Sequence, residues 1–86
     1  MAKGTGPPQP GPFAEAMASA IRGVVAGKGL SGNQLAKQLN RAQSYVSVRL
    51  SGKKSWNMDE LDQIAEILKV DVDDIIDMAQ KIYRKQ

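Results

Sequence analysis

Cysteine and histidine are both absent from this chain of 86 residues. Their absence excludes disulfide bonds, thiolate or imidazole metal sites and any catalysis that depends on either residue. No nucleophile–base pair is visible elsewhere, so we expect a protein that is not an enzyme and has no cofactor or small-molecule substrate. No apolar run approaches the ~20 residues of a membrane span, and the N-terminus lacks the apolar stretch of a signal peptide. A cytoplasmic location is expected.

Proline is absent after residue 12, since all four prolines lie within residues 1–12. This segment also contains several glycines and has no apolar periodicity, which predicts a disordered tail. The remaining residues, 13–86, are enough for one small helical domain with its own core. The sequence leaves open whether this is a whole protein or one domain of a longer chain.

Acidic residues are absent from residues 28–54, a segment that we call the basic block. Its six positive charges are Lys28, Lys37, Arg41, Arg49, Lys53 and Lys54. Residues 55–79, the acidic block, hold eight acids and one lysine, which gives a net charge of −7. A surface of one sign attracts a polyanion, while an acidic surface elsewhere limits indiscriminate binding. The alternative is that the basic block is an ordinary solvated surface.

Apolar residues recur at the spacing of an α-helix in five segments, and no segment shows the alternation of a strand. The proline at residue 12 suits the start of the first helix, because its missing N–H would be unpaired there. The predicted helices cover residues 13–26, 31 to about 40, 43–50, and two segments that begin at residues 57 and 71. The sequence therefore predicts an all-α fold with a tight bend between the second and third helices.

Two of these helices carry the same start signal. Ser31 and Gln34 have the spacing of a capping box, in which each side chain bonds the backbone N–H of the other residue. Asn57 and Glu60 repeat this arrangement before the fourth helix. Asn40 suits the end of the second helix, because asparagine tolerates a positive φ angle better than most residues.

Apolar and small residues between positions 29 and about 77 stand at the spacings of the lambda-repressor/Cro-like helix-turn-helix family. The residues that carry the resemblance are Leu30-Ser31, Leu35-Ala36, Leu39, Val46-Ser47, Leu50, Gly52-Lys53, Leu61, Ile64-Ala65, Leu68 and Val70. The stretch SYVSVRLSG, followed by an acidic helix, resembles small repressors of phages and their actinobacterial hosts. The resemblance implies a five-helix lambda-repressor-like DNA-binding domain, in which helices 2 and 3 form the motif and helix 3 enters the major groove.

Five positions depart from the family pattern. Asn40 holds the turn, Arg41 follows it, and Ala42 is the cap of helix 3. Arg49 holds a commonly buried position in helix 3, and Gly32 holds a phosphate-contacting position in helix 2. The family usually has glycine, an apolar residue, and serine or threonine at the first three of these, and a glutamine at the last. With that glutamine replaced, Asn33 and Gln34 are the candidates for its phosphate contact.

The exposed side of helix 3 supplies the candidate base contacts. Gln43 opens the helix, where its amide can make a bidentate pair with adenine N6 and N7. Ser44 and Ser47 can bond base edges or phosphates, and Val48 can contact a thymine methyl. The alternative is that the glutamine and the serines are ordinary exposed polar residues. Candidate phosphate contacts, which would position the protein without reading sequence, are Asn33, Gln34, Lys37, Arg41, Arg49, Lys53 and Lys54.

Three residues near helix 3 have more than one interpretation. Arg49 could pair with an acid of helix 4 or 5, or could contact a phosphate. Its neighbour Tyr45 is equally ambiguous. Trp56 is expected to be structural, because it precedes helix 4 at the position that packs onto Leu61.

The leading hypothesis is a sequence-specific transcriptional repressor of phage or prophage immunity type, which binds double-stranded DNA and is then associated with the nucleoid. The alternative is an antitoxin or adaptor that acts through protein contacts of its last helix. We predict a homodimer through this helix, since Met78 and Ile82 lie near its end, with a monomer as the alternative. Its apolar stripe, part of which must cover the domain, consists of Val72, Ile75, Ile76, Ala79, Ile82 and Tyr83.

Overall fold

The computed structural model describes residues 9–85, which form five α-helices and no strand. Their bounds are α1 Pro12–Gly27, α2 Gly32–Leu39, α3 Gln43–Leu50, α4 Met58–Leu68 and α5 Val72–Arg84. The all-α fold of five helices is confirmed, and α3 has the predicted range. Of the predicted disordered tail, residues 1–8 lie outside the described residues, and Pro12 is already the first residue of α1.

Both predicted capping boxes form. The Gln34 backbone N–H donates to the Ser31 hydroxyl at 3.1 Å, and the Ser31 N–H donates to the Gln34 side chain at 2.8 Å. Asn57 and Glu60 make the same exchange before α4, at 2.7 and 2.9 Å. The last helix differs, because Asp71 holds the N-cap position of α5 without a side-chain cap bond.

Two helices end in the left-handed backbone conformation. Asn40 ends α2 with a φ of 57°, as its residue type predicts, and Lys69 ends α4 with a φ of 59°. Lysine has no side-chain group that eases this conformation, so the end of α4 carries backbone strain. The sequence contains no signal for this second left-handed end.

The five largest fully buried side chains come one from each helix and form the centre of the core. In chain order they are Ile21, Leu35, Val46, Ile64 and Ile75. Val46 is the only buried residue of α3, whereas α4 buries five. Helix α3 is therefore the element with the least apolar anchorage of its own.

The predicted stripe of α5 mainly covers the protein's own domain. α5 packs most extensively against α1, and its Ile75 and Ala79 are buried. Tyr83, at the end of the stripe, is 46% exposed. Trp56 is half-buried against the same core that contains Leu61, in keeping with a structural role. The half-buried α5 residues that pack against the core are Val72, Ile76, Met78 and Ile82.

Candidate nucleic-acid interface

The four candidate base-contacting residues share one side of α3. Gln43, Ser44 and Ser47 are exposed, and Val48 is half-buried. Successive residues of an α-helix are rotated by about 100°, so these four positions lie within an arc of about 140°. Val46 lies outside this arc and points into the core. The structure therefore brings the four residues together on a face that is open to solvent.

The bend between α2 and α3 is closed by the carbonyls of α2 itself. The backbone N–H of Arg41 donates to the Ala36 carbonyl at 3.0 Å, and that of Asn40 donates to the Lys37 carbonyl at 3.1 Å. Ala36 is 3% exposed, which agrees with the small residue that the family resemblance implies at this crossing. Ala42 then caps α3 in an extended conformation without a side-chain bond.

Three hydrogen bonds of the turn after α3 converge on one carbonyl, that of Val48. It accepts hydrogen bonds from the Ser51 hydroxyl at 2.8 Å and from the backbone N–H groups of Lys53 at 3.0 Å and Lys54 at 3.3 Å. Gly52 within the turn has a φ of 87°. The backbone of the two lysines is thus held against the helix end, while their side chains are exposed.

The candidate phosphate contacts of α2 are all exposed: Asn33, Gln34 and Lys37. The Gln34 side-chain oxygen is already occupied by the capping box, so a phosphate contact would use its amide nitrogen. Gly32 stands where the family has glutamine. An added Cβ there would lie 3.4 Å from Cδ1 of Leu50, an ordinary van der Waals contact, so this position faces the last residue of α3.

Two arginines lie over the ring of Tyr45. The guanidinium carbon of Arg49 is 3.5 Å from the ring centroid and that of Arg41 is 5.0 Å away. Arg49 also donates to the Tyr45 carbonyl at 3.1 Å, and its Nε is buried without a hydrogen-bond partner. Within residues 9–85, the one ion pair shorter than 4.0 Å joins Lys81 and Asp77. Arg49 is therefore held on Tyr45 rather than paired with an acid, and its phosphate contact stays a prediction.

Tyr45 links α3 to the start of α4. Its hydroxyl donates a hydrogen bond to Oε2 of Glu60, whose Oε1 accepts from the backbone of Asn57. Glu60 is only 3% exposed and is the one buried charged residue of the described chain. The pKa of the Tyr45 hydroxyl is raised, because the bond to Glu60 and partial burial favour the neutral form, whereas Arg49 and Arg41 oppose the shift.

Arg22 of α1 reaches the other end of α3. Its Nη1 donates to the carbonyl oxygen of Leu50, the last residue of that helix. Sequence reasoning missed this contact, and no local pattern indicates it. For Tyr45 a signal did exist: Arg49 follows it by four residues in the same helix, the spacing at which helical side chains meet.

The two charge blocks lie on different helices. The basic block covers α2, α3 and the adjoining turns, and of its charged side chains only Arg49 is not exposed. The acids of α4 and α5 are exposed except for Glu60. Within residues 9–85, no group of three or more acids is arranged to hold a metal ion. In the same part of the chain, no helix has both the length and the apolar character needed to cross a membrane.

Comparisons with known proteins agree with this geometry. The family model of the Cro/C1-type helix-turn-helix DNA-binding domain matches residues 20–81. Two solved structures of the clp gene regulator ClgR from Corynebacterium glutamicum are similar, each with 26% identity. One has a TM-score of 0.82 and covers 92% of this chain and 83% of that one. The other has a TM-score of 0.76 and covers 80% and 90%. A comparison with curated protein sequences gives no match.

Proposed function

The chain belongs to the Cro/C1-type helix-turn-helix DNA-binding family, and from this premise we propose that it is a sequence-specific repressor that reads the major groove with α3. The observation that carries the proposal is the shared exposed face of Gln43, Ser44, Ser47 and Val48. Amide and hydroxyl groups can bond base edges, and a valine can contact a thymine methyl. Repression would follow from occupying an operator and excluding the polymerase.

Cationic side chains flank this face on two sides. Lys37 of α2 lies before it in the chain, and Lys53 and Lys54 follow in the turn tied to the Val48 carbonyl. Such contacts fix the register of a protein on the duplex without reading sequence. The proposed phosphate set is Asn33, Gln34, Lys37, Arg41, Arg49, Lys53 and Lys54.

The proposal has a second part, which concerns the genes that the protein represses. The stretch SYVSVRLSG and the acidic helix after it favour repression of phage or prophage immunity type. A second candidate is regulation of host genes, because the similar structures from C. glutamicum are described as a clp gene regulator. The genes next to the operator distinguish the two.

An antitoxin or adaptor acting through α5 has weaker support. The apolar side chains of α5 pack on its own domain, and Tyr83 is the large apolar residue of this helix that remains exposed. Tyr83 and the partly exposed Phe13 ring beside it give little area for binding a protein partner.

The proposal is tested by selecting bound sequences from random duplex DNA and titrating the best one against salt. We expect a consensus site, and an affinity that falls steeply with salt, by about 0.9 log units per log unit of salt for each neutralised phosphate. A palindromic consensus would indicate a two-fold dimer. Equal affinity for the selected site and for random DNA would overturn sequence-specific recognition, and a flat salt dependence would overturn DNA binding through this surface.

A further inference from the structure

Helix α3 has few buried side chains for an element that must hold base-contacting residues in a fixed orientation. It has eight residues and buries only Val46 fully, with Leu50 half-buried beside it. One buried side chain does not define the tilt and rotation of a helix. Hydrogen bonds to base edges, however, weaken steeply when donor and acceptor are misaligned. Some other set of contacts must hold α3 in its orientation.

The first such contact is near the start of the helix. The Tyr45 hydroxyl donates to Glu60, and Glu60 is itself fixed, because its other oxygen closes the capping box of α4 at 2.9 Å from the Asn57 nitrogen. Arg49 covers the Tyr45 ring at 3.5 Å. The ring is therefore held by a hydrogen bond at its hydroxyl and by Arg49 on its face. Glu60, which accepts that hydrogen bond, is buried.

The second contact is at the opposite end. Arg22 extends from α1 and donates to the carbonyl of Leu50. This is one of the last carbonyls of α3, which have no partner within the helix. Residues 45 and 50 are separated by about 7.5 Å along the helix axis. Two anchors at this separation, on two different helices, restrict both tilt and rotation.

We propose that Tyr45 and Arg22 are positioning residues, which set the affinity of α3 for its specific site by tethering its two ends to α4 and α1. Neither side chain needs to touch a base. The inference rests on the proposed function, because it concerns the orientation of the same reading helix.

The test compares Tyr45→Phe and Arg22→Lys with the wild type. Tyr45→Phe removes the donor of its tether bond, and Arg22→Lys replaces the planar guanidinium by a shorter, more flexible ammonium. Both leave the formal charge unchanged, so non-specific attraction to phosphate is preserved. Arg84→Lys makes the same chemical change as Arg22→Lys at an exposed position of α5 and serves as its matched control. Dissociation constants are measured for the selected site and for random duplex over a salt series, at a temperature where circular dichroism shows every variant folded.

We expect each tether variant to bind the selected site roughly 3- to 10-fold more weakly, the range that corresponds to one lost hydrogen bond. Binding to random DNA and the salt slope should stay at the wild-type values, and Arg84→Lys should bind both DNAs as the wild type does. Amide hydrogen exchange gives a readout without DNA: the protection of α3 amides should fall while that of α5 amides is kept.

Three results would overturn the inference in different ways. If the wild type shows no preference for any sequence, both the proposed function and the positioning role of Tyr45 and Arg22 are wrong. If the wild type is specific and both tether variants keep its ratio of specific to random affinity, only the positioning role fails. If a variant weakens both DNAs equally and lowers the salt slope, its residue contacts phosphate instead. Should Tyr45→Phe fail to fold, Arg22→Lys alone decides the question.

Discussion

The ring of Phe13, near the start of α1, packs edge-on against the ring of Tyr83, near the end of α5. Their centroids are 5.6 Å apart and their planes meet at 82°. The two rings are 39% and 46% exposed, so the contact lies at the rim of the core. It links the start of α1 to the end of α5, the two helices that pack most extensively against each other.

This aromatic pair should show energetic coupling. In a double-mutant cycle of Phe13→Leu and Tyr83→Leu, the two changes should be non-additive by about 0.5–1.5 kcal/mol, the range for edge-to-face pairs. Urea unfolding of the four proteins gives the coupling free energy. Strict additivity would show that the rings contribute only through the area each one buries.

Gln43→Ala should relax specificity at one base pair. We expect a loss of ~1–3 kcal/mol in binding to the best site with little change on random DNA, because the amide would be the only group lost from the reading face. Gln80→Ala, at an exposed position of α5, is the matched control and should bind as the wild type does. A repeat of the site selection would show the relaxed position. Equal losses on specific and random DNA would remove Gln43 from the base contacts.

Lys53→Ala and Lys54→Ala should weaken binding to all sequences alike. Each should lower the salt slope by about one unit, because one phosphate contact is lost. Lys85→Ala removes the same charge just past α5, and its slope should remain that of the wild type. Fluorescence anisotropy titrations over a salt series provide the measurement. An unchanged slope in either variant would exclude that lysine from the phosphate set.

Lys69→Gly should stabilise the protein. The lysine backbone is held at a φ of 59°, a conformation that glycine adopts without the clash of a Cβ, and we expect a gain of about 0.5–1 kcal/mol. Lys28→Gly is the matched control, because Lys28 follows α1 with a φ of −87° and should give no gain. Thermal and urea unfolding measure both. A loss of stability in Lys69→Gly would show that the lysine side chain makes a compensating contact.

The predicted dimer through α5 calls for a substitution at its exposed end. Ile82 packs against the core, so Ile82→Asp would disturb folding as well as association. Tyr83→Gln changes a residue that is 46% exposed and should weaken self-association on DNA. Sedimentation of each protein with a selected operator gives the stoichiometry. Two recognition helices of a dimer would be about 34–36 Å apart. A monomeric wild type on one asymmetric site would contradict the dimer.

Much of this fold was predictable because its signals are local. Ser31 with Gln34, and Asn57 with Glu60, exchange bonds across three residues, and α3 has the range that the sequence predicts. The separation of the basic and acidic blocks could also be read from the chain, since each block lies within consecutive elements. The capping boxes depend on neighbours within one helical turn and the charge blocks on runs of consecutive residues, so the sequence determines both before the chain is packed.

The contacts that orient α3 were decided only by the tertiary structure. Tyr45 and Glu60 are 15 residues apart, and Arg22 and Leu50 are 28 apart. No pattern in the sequence specifies such a pair, because the meeting of two side chains depends on the angles at which their helices cross. The left-handed end of α4 has the same origin. There Val70 packs against the core and its N–H donates to the Ala65 carbonyl at 3.0 Å, which forces the lysine before it into a conformation that its own chemistry disfavours.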